Sequence, residues 1–302
     1  MERNWRHDAL AEVIPASAAP ARPVLRWYGG KWRIADWLIA LMPPHGAYVE
    51  PFGGAASVLL RKPRVQTEVY NDLDGRVVNL FRVLRDREAS ARLHELLALT
   101  PYAYAEYIEA RERADDAIED ARRLIVLGAQ SHGATGAAGG KLSGWRRGHR
   151  VMCGGKTAGG GANSYAREWV NLHAEVTRWA ARLAGVYVEH DDALRVIPRW
   201  DAPNTLIYAD PPYLHATRAD ARKAYRHEMS DAGHIALAER LNACSCMVMV
   251  SGYRCALYEE LYAGWQRHDC QTRADSNARR VESVWLNAAA VAAQPQPGLF
   301  DG

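Results

Sequence analysis

The stretch LIYADPPY, residues 206–213, decides the fold of this chain, because an apolar run there ends at a charged turn. Leu206 to Ala209 has the composition of a buried strand, and the two prolines after Asp210 cannot continue it. Each proline fixes its own φ and restricts the residue before it, so the turn is rigid. We expect one carboxylate, backbone carbonyls and one aromatic ring at the carboxyl end of a strand.

These groups are suited to a flat base that carries an exocyclic amine. The amine nitrogen of adenine is a poor nucleophile because its lone pair is delocalised into the ring. The Asp210 carboxylate and the Pro211 carbonyl can accept the amine hydrogens and favour a more tetrahedral nitrogen, while Tyr213 can stack on a base flipped from the duplex. The candidate catalytic residues are therefore Asp210, Pro211, Pro212 and Tyr213, and an ordinary proline-rich turn is the alternative.

Strand and helix patterns alternate on both sides of this turn. Strand candidates lie at 47–52, 67–70, 186–188, 205–209, 247–250 and 283–286, and helical patterns at 55–61, 75–85, 231–243 and 255–262. Such alternation predicts an α/β fold with helices on both faces of the sheet. In that architecture ligands bind at the carboxyl ends of the strands.

Two glycine turns and one acidic residue precede the catalytic turn. The run YVEPFGGAAS, residues 48–57, places glycines after a strand, where a ligand can approach the backbone closely. Asp72 ends the next strand, where an acidic residue commonly receives ribose hydroxyls, although it can instead cap the following helix. The run RWYGGK, residues 26–31, is a glycine turn flanked by an aromatic ring and a cation, which suits an adenine ring and a carboxylate.

The charge is distributed unevenly along the chain. Residues 121–167 contain eight positive residues and no acid, so the formal charge of +3 combines +8 there with −5 elsewhere. This glycine-rich stretch predicts contact with nucleic acid, and a solvated loop is the alternative. The candidate DNA-binding residues are Lys141, Trp145, Arg146, Arg147 and Arg150. A second basic stretch, 215–227, either clasps phosphates or forms a solvated helix face.

Composition excludes several classes of protein. The 302 residues are 48% apolar and 24% charged, which is typical of a globular protein, and no apolar run approaches the roughly 20 residues of a membrane span. Five cysteines without a Cys-x-x-Cys pair favour a reducing, cytoplasmic setting and argue against cysteine-ligated zinc. The 11 histidines lack metal-ligand spacing, so we expect no metal, and no Pro-Cys turn supplies a nucleophile for cytosine C5.

The motifs and their order resemble the Dam-type DNA adenine methyltransferases over roughly residues 25–287. RWYGGK resembles that family's Lys-Trp-x-Gly-Gly-Lys, and EPFGGAAS at 50–57 is similar to its Glu-Pro-Phe-x-Gly-x-Gly-Ser. NDLD at 71–74 resembles its acidic strand end, and DPPY at 210–213 its catalytic tetrapeptide. Arg26 replaces the first Lys of the family, and Ala56 stands where a third Gly is usual.

The resemblance implies a Rossmann-like S-adenosylmethionine-dependent methyltransferase that modifies adenine N6 in duplex DNA. It implies cofactor contacts at Trp27, Lys31, Glu50, Pro51, Phe52, Gly53, Asp72, Asp192 and Asp210. For the acidic segment EHDDAL, residues 189–194, helix capping by Asp191 or Asp192 is the alternative. Three other functions stay open: cytosine-N4 methylation, RNA adenine-N6 methylation, and DNA binding without catalysis.

The same motifs divide the chain into four parts. We expect a flexible leader at 1–23, a catalytic domain at 24–85 and 185–288, a helical target-recognition insert at 86–184, and a disordered tail at 289–302. The run QPGLF near the end resembles the peptide by which bacterial proteins dock on the sliding clamp, with Gln296, Leu299 and Phe300 as its matching residues. A plain disordered tail is the alternative there.

Overall fold

A seven-stranded sheet lies at the centre of the protein, seen here in a computed structural model that describes residues 19–132, 136–139, 144–146, 165–217, 225–273 and 279–295. The strands are β1 (Ala47–Glu50), β2 (Thr67–Asn71), β3 (Tyr187–Glu189), β4 (Thr205–Ala209), β5 (Met247–Gly252), β6 (Gln266–Arg273) and β7 (Arg279–Leu286). Their order is β3-β2-β1-β4-β5-β7-β6. The first five are parallel, and β7 is antiparallel to both of its neighbours. The predicted α/β fold is thereby confirmed.

Eleven helices of the described chain connect and cover these strands. They are α1 (Ala35–Ala40), α2 (Gly75–Arg85), α3 (Arg87–Leu99), α4 (Tyr104–Glu109), α5 (Ala117–Gln130), α6 (Tyr165–Val170), α7 (Ala174–Leu183), α8 (Ala193–Arg199), α9 (Asp231–Asn242), α10 (Ala256–Leu261) and α11 (Ala288–Ala293). At the start of six of them the side chain of the capping residue accepts a hydrogen bond from a backbone N–H; these residues are Asp74, Asp86, Asp116, Asp192, Ser230 and Asn287. Within the described ranges, no helix has the length and apolarity needed to cross a bilayer.

Alternation along the buried strands builds a core on each face of the sheet. Leu206 and Tyr208 of β4 belong to the core that also contains residues of α2 to α7. Ile207, the residue between them, joins the core formed with α8, α9 and α10. Successive side chains of a strand point to opposite faces, so a fully buried strand such as β4 requires cover on both sides.

The chain order creates a crevice at the middle of the sheet. From β1 the chain proceeds to β2 and β3 on one side, while β4 and β5 extend on the other. The loops after β1 and β4 therefore diverge, and the carboxyl ends of these adjacent strands border an open space. Ligands of doubly wound α/β proteins bind at this topological switch point.

The region predicted as a helical insert, 86–184, contains α3 to α7 and no strand among its described residues. Its helices share the core of the sheet. Leu93, Leu124 and Trp179 belong to the same cluster as Tyr48 of the central strand β1, and α2 contacts α3, α5 and α7. The helices α3, α5 and α7 of this region are thus packed onto one face of the sheet.

Both predicted terminal segments need correction. Residues 19–23 were expected to be flexible, yet the backbone N–H of Ala21 donates to Glu175 and the indole of Trp179 donates to the carbonyl of Arg22. Residues 289–293, expected to be disordered, belong to α11, which Asn287 caps. The remainder of both segments, 1–18 and 296–302, lies outside the described residues.

Two element predictions were also wrong. Residues 55–61 form successive turns rather than a helix, because Gly54 and Ala56 have φ of 46° and 52° and interrupt helical geometry. Strand β6 was not predicted at all. Its sequence, QRHDCQTR, is polar throughout because β6 is the edge strand of the sheet and pairs only with β7.

Candidate active site

The turn after β1 brings the backbone close to the ligand crevice. A Cβ on Gly53 would lie 2.1 Å from Cε2 of Tyr70, and a Cβ on Gly54 would lie 2.7 Å from the indole nitrogen of Trp27. Gly54 also has a positive φ of 46°. Glycine is therefore required at both positions, which explains the GG pair that the sequence displays.

Asp72 fixes this turn to the end of β2. Its Oδ2 accepts a hydrogen bond from the backbone N–H of Gly54 at 2.8 Å, and its Oδ1 accepts one from the backbone N–H of Asp74 at 2.8 Å. Burial raises the pKa of the Asp72 carboxyl to about 6, and the two backbone donors only partly oppose that effect. Asp74, rather than Asp72, caps α2.

Glu50 is a second buried acid beside the crevice. It is 3% exposed, and its Oε1 accepts hydrogen bonds from the Tyr48 hydroxyl at 2.7 Å and from the backbone N–H of Leu59 at 2.8 Å. Burial raises the pKa of Glu50 to about 7. Two carboxyl groups with raised pKa values therefore border one space, an arrangement that favours a cationic ligand.

All nine residues predicted to bind a cofactor line a single cavity of about 310 Å³ at the switch point. They are Trp27, Lys31, Glu50, Pro51, Phe52, Gly53, Asp72, Asp192 and Asp210. Leu73, which is 47% exposed, lies beside them. The size is in the range of small-molecule sites.

Asp192 caps a helix at the edge of this cavity. Its side chain caps α8 by accepting from the backbone N–H of Leu194 at 2.8 Å, and it also lines the cavity. Its neighbour Asp191 pairs with Arg199. The capping alternative is thus confirmed for Asp192, and ligand binding by the same carboxylate stays a prediction.

The residues after the catalytic turn close one side of this cavity. Arg226 donates to both oxygens of Asp74, at 2.6 and 2.8 Å, and its backbone N–H donates to the carbonyl of Ala138. Residues 225–229 and Ala138 line the cavity. Arg226, predicted to clasp phosphate or face solvent, instead holds this segment against the start of α2.

Asp210 stands at the end of β4 with its carboxylate held by two side chains. Lys31 donates to its two oxygens, at 2.7 and 2.9 Å, and the Ser251 hydroxyl donates to Oδ1 at 2.7 Å. Lys31 is only 3% exposed and also donates to the carbonyl of Gly29 at 2.8 Å. Lys31 therefore links the glycine turn at 26–31 to the catalytic turn.

Tyr213 is buried rather than open to a base. Its ring is 4% exposed and stacks on Tyr253 with centroids 4.4 Å apart, and its hydroxyl donates to Glu282 at 2.9 Å. The three residues line a second cavity of about 470 Å³, next to the first. Trp27 and Lys31 belong to the walls of both cavities. Pro212 lines the first cavity, whereas Pro211 is buried.

Three residues of this site were missed in the sequence: Ser251, Tyr253 and Glu282. No motif marks them, since Ser251 lies just beyond the predicted core strand 247–250 and Glu282 just before the predicted strand 283–286. Antiparallel pairing of β7 with β5 sets Ser283 opposite Gly252 and so brings the neighbouring Glu282 close to the catalytic turn. That pairing between distant segments cannot be read from local pattern.

The predicted DNA-binding residues are only partly described. Trp145 donates from its indole to Gln130 at 3.0 Å and packs near Tyr102 and Tyr104, so it is embedded among aromatic rings. The Arg146 guanidinium lies 3.4 Å from the ring centroid of Tyr165 and borders a third cavity of about 310 Å³. Lys141, Arg147 and Arg150 lie outside the described residues.

Part of the positive charge in this stretch is neutralised. Arg122 pairs with Glu106 and Glu119, and Arg123 pairs with Glu109 and Glu119. The acids come from before residue 121, so the linear run without acids overstates the local charge of the folded protein. These two arginines are structural ties within the helices α4 and α5.

One cluster of the described residues has metal-ligand groups in reach of one another. The ligand atoms of Asp201, Cys244 and Cys246 all lie within 4.8 Å. Asp201 Oδ1 already accepts from the backbone N–H groups of Ser245 and Cys246, at 2.9 Å each. Capping of this turn accounts for the position of Asp201.

Comparison with known proteins agrees with this geometry. Residues 27–275 match the family model of the D12 class N6 adenine-specific DNA methyltransferases. The chain is 24% identical over 259 residues to the DNA adenine methylase of Salmonella typhi, a match that covers 83% of this chain and 88% of that protein. The DNA adenine methylase of Salmonella typhimurium matches to the same extent. The order of motifs, the Asp-Pro-Pro-Tyr turn at the end of β4 and this match together place the chain in the D12 class of N6 adenine-specific DNA methyltransferases.

Proposed function

We propose that this DNA adenine methyltransferase takes its methyl group from S-adenosylmethionine and transfers it to an adenine that has been flipped out of the duplex. The observation that carries the proposal is the meeting of all nine predicted cofactor residues around one cavity that ends at Asp210. Family members generally use this donor. A neighbouring cavity, which is lined by Tyr213, offers a separate binding site for the flipped base.

The residues around the first cavity fit S-adenosylmethionine. Asp72 is placed to accept ribose hydroxyls, and Trp27 offers an aromatic surface beside Gly54. The buried acids Glu50 and Asp72 favour a cationic ligand because burial penalises their charge and a cation would offset that penalty. When bound, the donor supplies a methyl group activated by its positively charged sulfur.

Asp210 and Pro211 would then act on the target amine. Each offers an oxygen acceptor for one amine hydrogen, which directs the nitrogen lone pair out of the ring plane. Asp210 Oδ2 is the better placed oxygen of its carboxylate, because it accepts from Lys31 while Oδ1 accepts from both Lys31 and Ser251. For Tyr213 to stack on the base, Tyr253 must leave its present position 4.4 Å away.

DNA contact by the region 86–184 is a further part of the proposal. Arg146, together with Lys141, Trp145, Arg147 and Arg150, would position the duplex through its phosphates. A cavity beside Arg146 is also lined by Arg22, Arg26 and Arg33 from before β1, which supports a joint phosphate-binding face. Substituting Arg146 and Arg147 should flatten the dependence of DNA affinity on salt, and an unchanged slope would remove them from the interface.

The decisive experiment is transfer of labelled methyl from S-adenosylmethionine to DNA, followed by identification of the modified nucleoside. We expect N6-methyladenine from the unaltered protein and none from Asp210→Ala, which should still bind DNA. Asp201→Ala, at the opposite end of β4, is the matched control and should retain activity. Full activity of the Asp210 variant would disprove the catalytic assignment, and absence of any transfer would disprove the proposed reaction.

Docking of the tail on a sliding clamp stays a proposal from sequence alone, since Gln296, Leu299 and Phe300 lie outside the described residues. Deleting residues 296–302 should abolish clamp binding and leave methylation of short duplexes unchanged. Clamp binding by the truncated protein would contradict the proposal. A cytoplasmic location, inferred from cysteine usage, likewise stays a prediction.

A further inference from the structure

A buried carboxylate outside every sequence motif contacts the catalytic residues. Glu282 of β7 is 6% exposed. Its Oε1 accepts the hydroxyl of Tyr213 at 2.9 Å, and its Oε2 lies 4.0 Å from the Lys31 ammonium without making a hydrogen bond to the described chain. A buried carboxylate oxygen left in this state is costly, so its position calls for a function.

Lys31 lies between this carboxylate and Asp210. Burial by itself would lower the pKa of the Lys31 ammonium, but Asp210 and Glu282 together raise that pKa above its usual value. Burial, reinforced by Glu282 and Asp210, raises the pKa of the Tyr213 phenol far above its usual range. Lys31 is therefore charged and Tyr213 neutral, so one cation faces two carboxylates and the formal charges of Lys31, Asp210 and Glu282 sum to −1.

We propose that Glu282 is a positioning residue for methyl transfer: it holds the Tyr213 hydroxyl and supplies the unbalanced negative charge that favours a cationic methyl donor and the cationic amine formed from it. The inference rests on the proposed use of S-adenosylmethionine. It deepens that function by naming Glu282, a residue of the second cavity, as the cause of the preference for charged S-adenosylmethionine over its neutral product.

The charge accounting of the reaction supports this role. As a carbon–nitrogen bond forms on the adenine amine, the carbon–sulfur bond of the donor breaks and its electron pair stays on sulfur. Positive charge thus moves from sulfur to nitrogen, and the methylated amine then becomes neutral by releasing one proton to water. Glu282, held across Lys31 from Asp210, is attractive to the positive charge at both positions, whereas the neutral thioether product gains nothing from it.

The test compares two ligands that differ in that charge. Glu282→Gln keeps the shape and an acceptor for Tyr213 but removes the negative charge. Calorimetric titration should show S-adenosylmethionine binding weakened by about tenfold and S-adenosylhomocysteine binding changed by less than about twofold. Glu106→Gln, which removes a carboxylate paired with Arg122 in the insert, is the control and should change neither affinity.

Equal weakening of both ligands, or no change in either, would overturn the inference. Glu282→Asp provides a second measurement, because it retains the charge on a shorter side chain. It should keep most of the preference for the charged donor, and loss of that preference in a folded Glu282→Asp protein would overturn the role of charge. If the unaltered protein bound neither ligand, the proposed cofactor itself would fail, which distinguishes the two results.

Discussion

Asp72 should make ligand affinity depend on pH. Burial raises the pKa of its carboxyl to about 6, yet the carboxylate must be ionised to accept two ribose hydroxyls. A ligand that needs the ionised form binds in proportion to the fraction ionised. Between about pH 8 and about pH 5 that fraction falls about tenfold for a group with this pKa, so affinity should fall about tenfold as well.

The stability of the protein should respond in the opposite direction. The usual pKa of an Asp carboxyl is 3.8, so between 3.8 and about 6 the folded protein binds more protons than the unfolded chain at Asp72. Its contribution to the free energy of unfolding therefore decreases as the pH rises through this window. Ligand affinity from the same group increases over that range, and the two opposite trends identify Asp72.

The assay is calorimetric titration with S-adenosylhomocysteine, which keeps the ribose and lacks the sulfonium charge. Asp72→Asn should bind more weakly at about pH 8 but should lose the part of the pH dependence that has a midpoint near pH 6. Glu50, with a pKa of about 7, contributes equally to the pH dependence of affinity in both proteins. Its contribution therefore cancels in the ratio of the two affinities. If both proteins lose affinity in parallel between about pH 7 and pH 5, the assignment of Asp72 is wrong.

Four further substitutions test the turn after β1 and the wall of the proposed cofactor cavity. Gly53→Ala should lower the free energy of unfolding by about 1–3 kcal/mol in thermal denaturation, because its Cβ would meet the buried Tyr70 ring at 2.1 Å; an unchanged melting temperature would contradict this. Ala56→Gly should change the free energy of unfolding by less than about 0.5 kcal/mol, because relief of the positive φ offsets the loss of the buried methyl group. Ala56→Val should lower the free energy of unfolding by about 3 kcal/mol or more. Equal melting temperatures of the Ala56→Gly and Ala56→Val proteins would refute the argument from backbone strain. Arg226→Gln should weaken cofactor binding several-fold by releasing residues 225–229 from Asp74, with at most about 1 kcal/mol lost in stability, and unchanged binding would show that this pair does not shape the cavity.

Several residues that line the first cavity could be predicted because they lie at or just after the end of a strand with a recognisable pattern. Glu50 ends β1, Asp72 follows β2 and Asp210 follows β4, and parallel strands bring their carboxyl ends to one edge of the sheet. The resemblance of the motifs then joined Trp27 and Lys31 to the same site. No knowledge of distant pairing was needed for these residues.

Other parts depended on tertiary contacts that local pattern does not record. Glu282 lies by the catalytic turn only because β7 runs antiparallel to β5. The alanine-rich helix α11 looks like a continuation of a Pro/Gly tail, but Asn287 caps it and also bonds the backbone of Cys246 and Val248, which fixes its start to β5. The turns at 55–61 required a positive φ at Ala56, a residue that rarely adopts it.

If residues 86–184 recognise DNA, as proposed above, helix α2 limits how the sequence modified by this enzyme can be changed. It contacts α3, α5 and α7, while its own side chains share a core with the central strands. A chimera that exchanges only residues 86–184 would join a foreign set of helices to an α2 surface shaped for the native ones. The exchanged segment should therefore start at Gly75, so that α2 is exchanged together with the helices it contacts. The boundary between native and foreign residues then lies between α2 and the sheet rather than within the layer of helices.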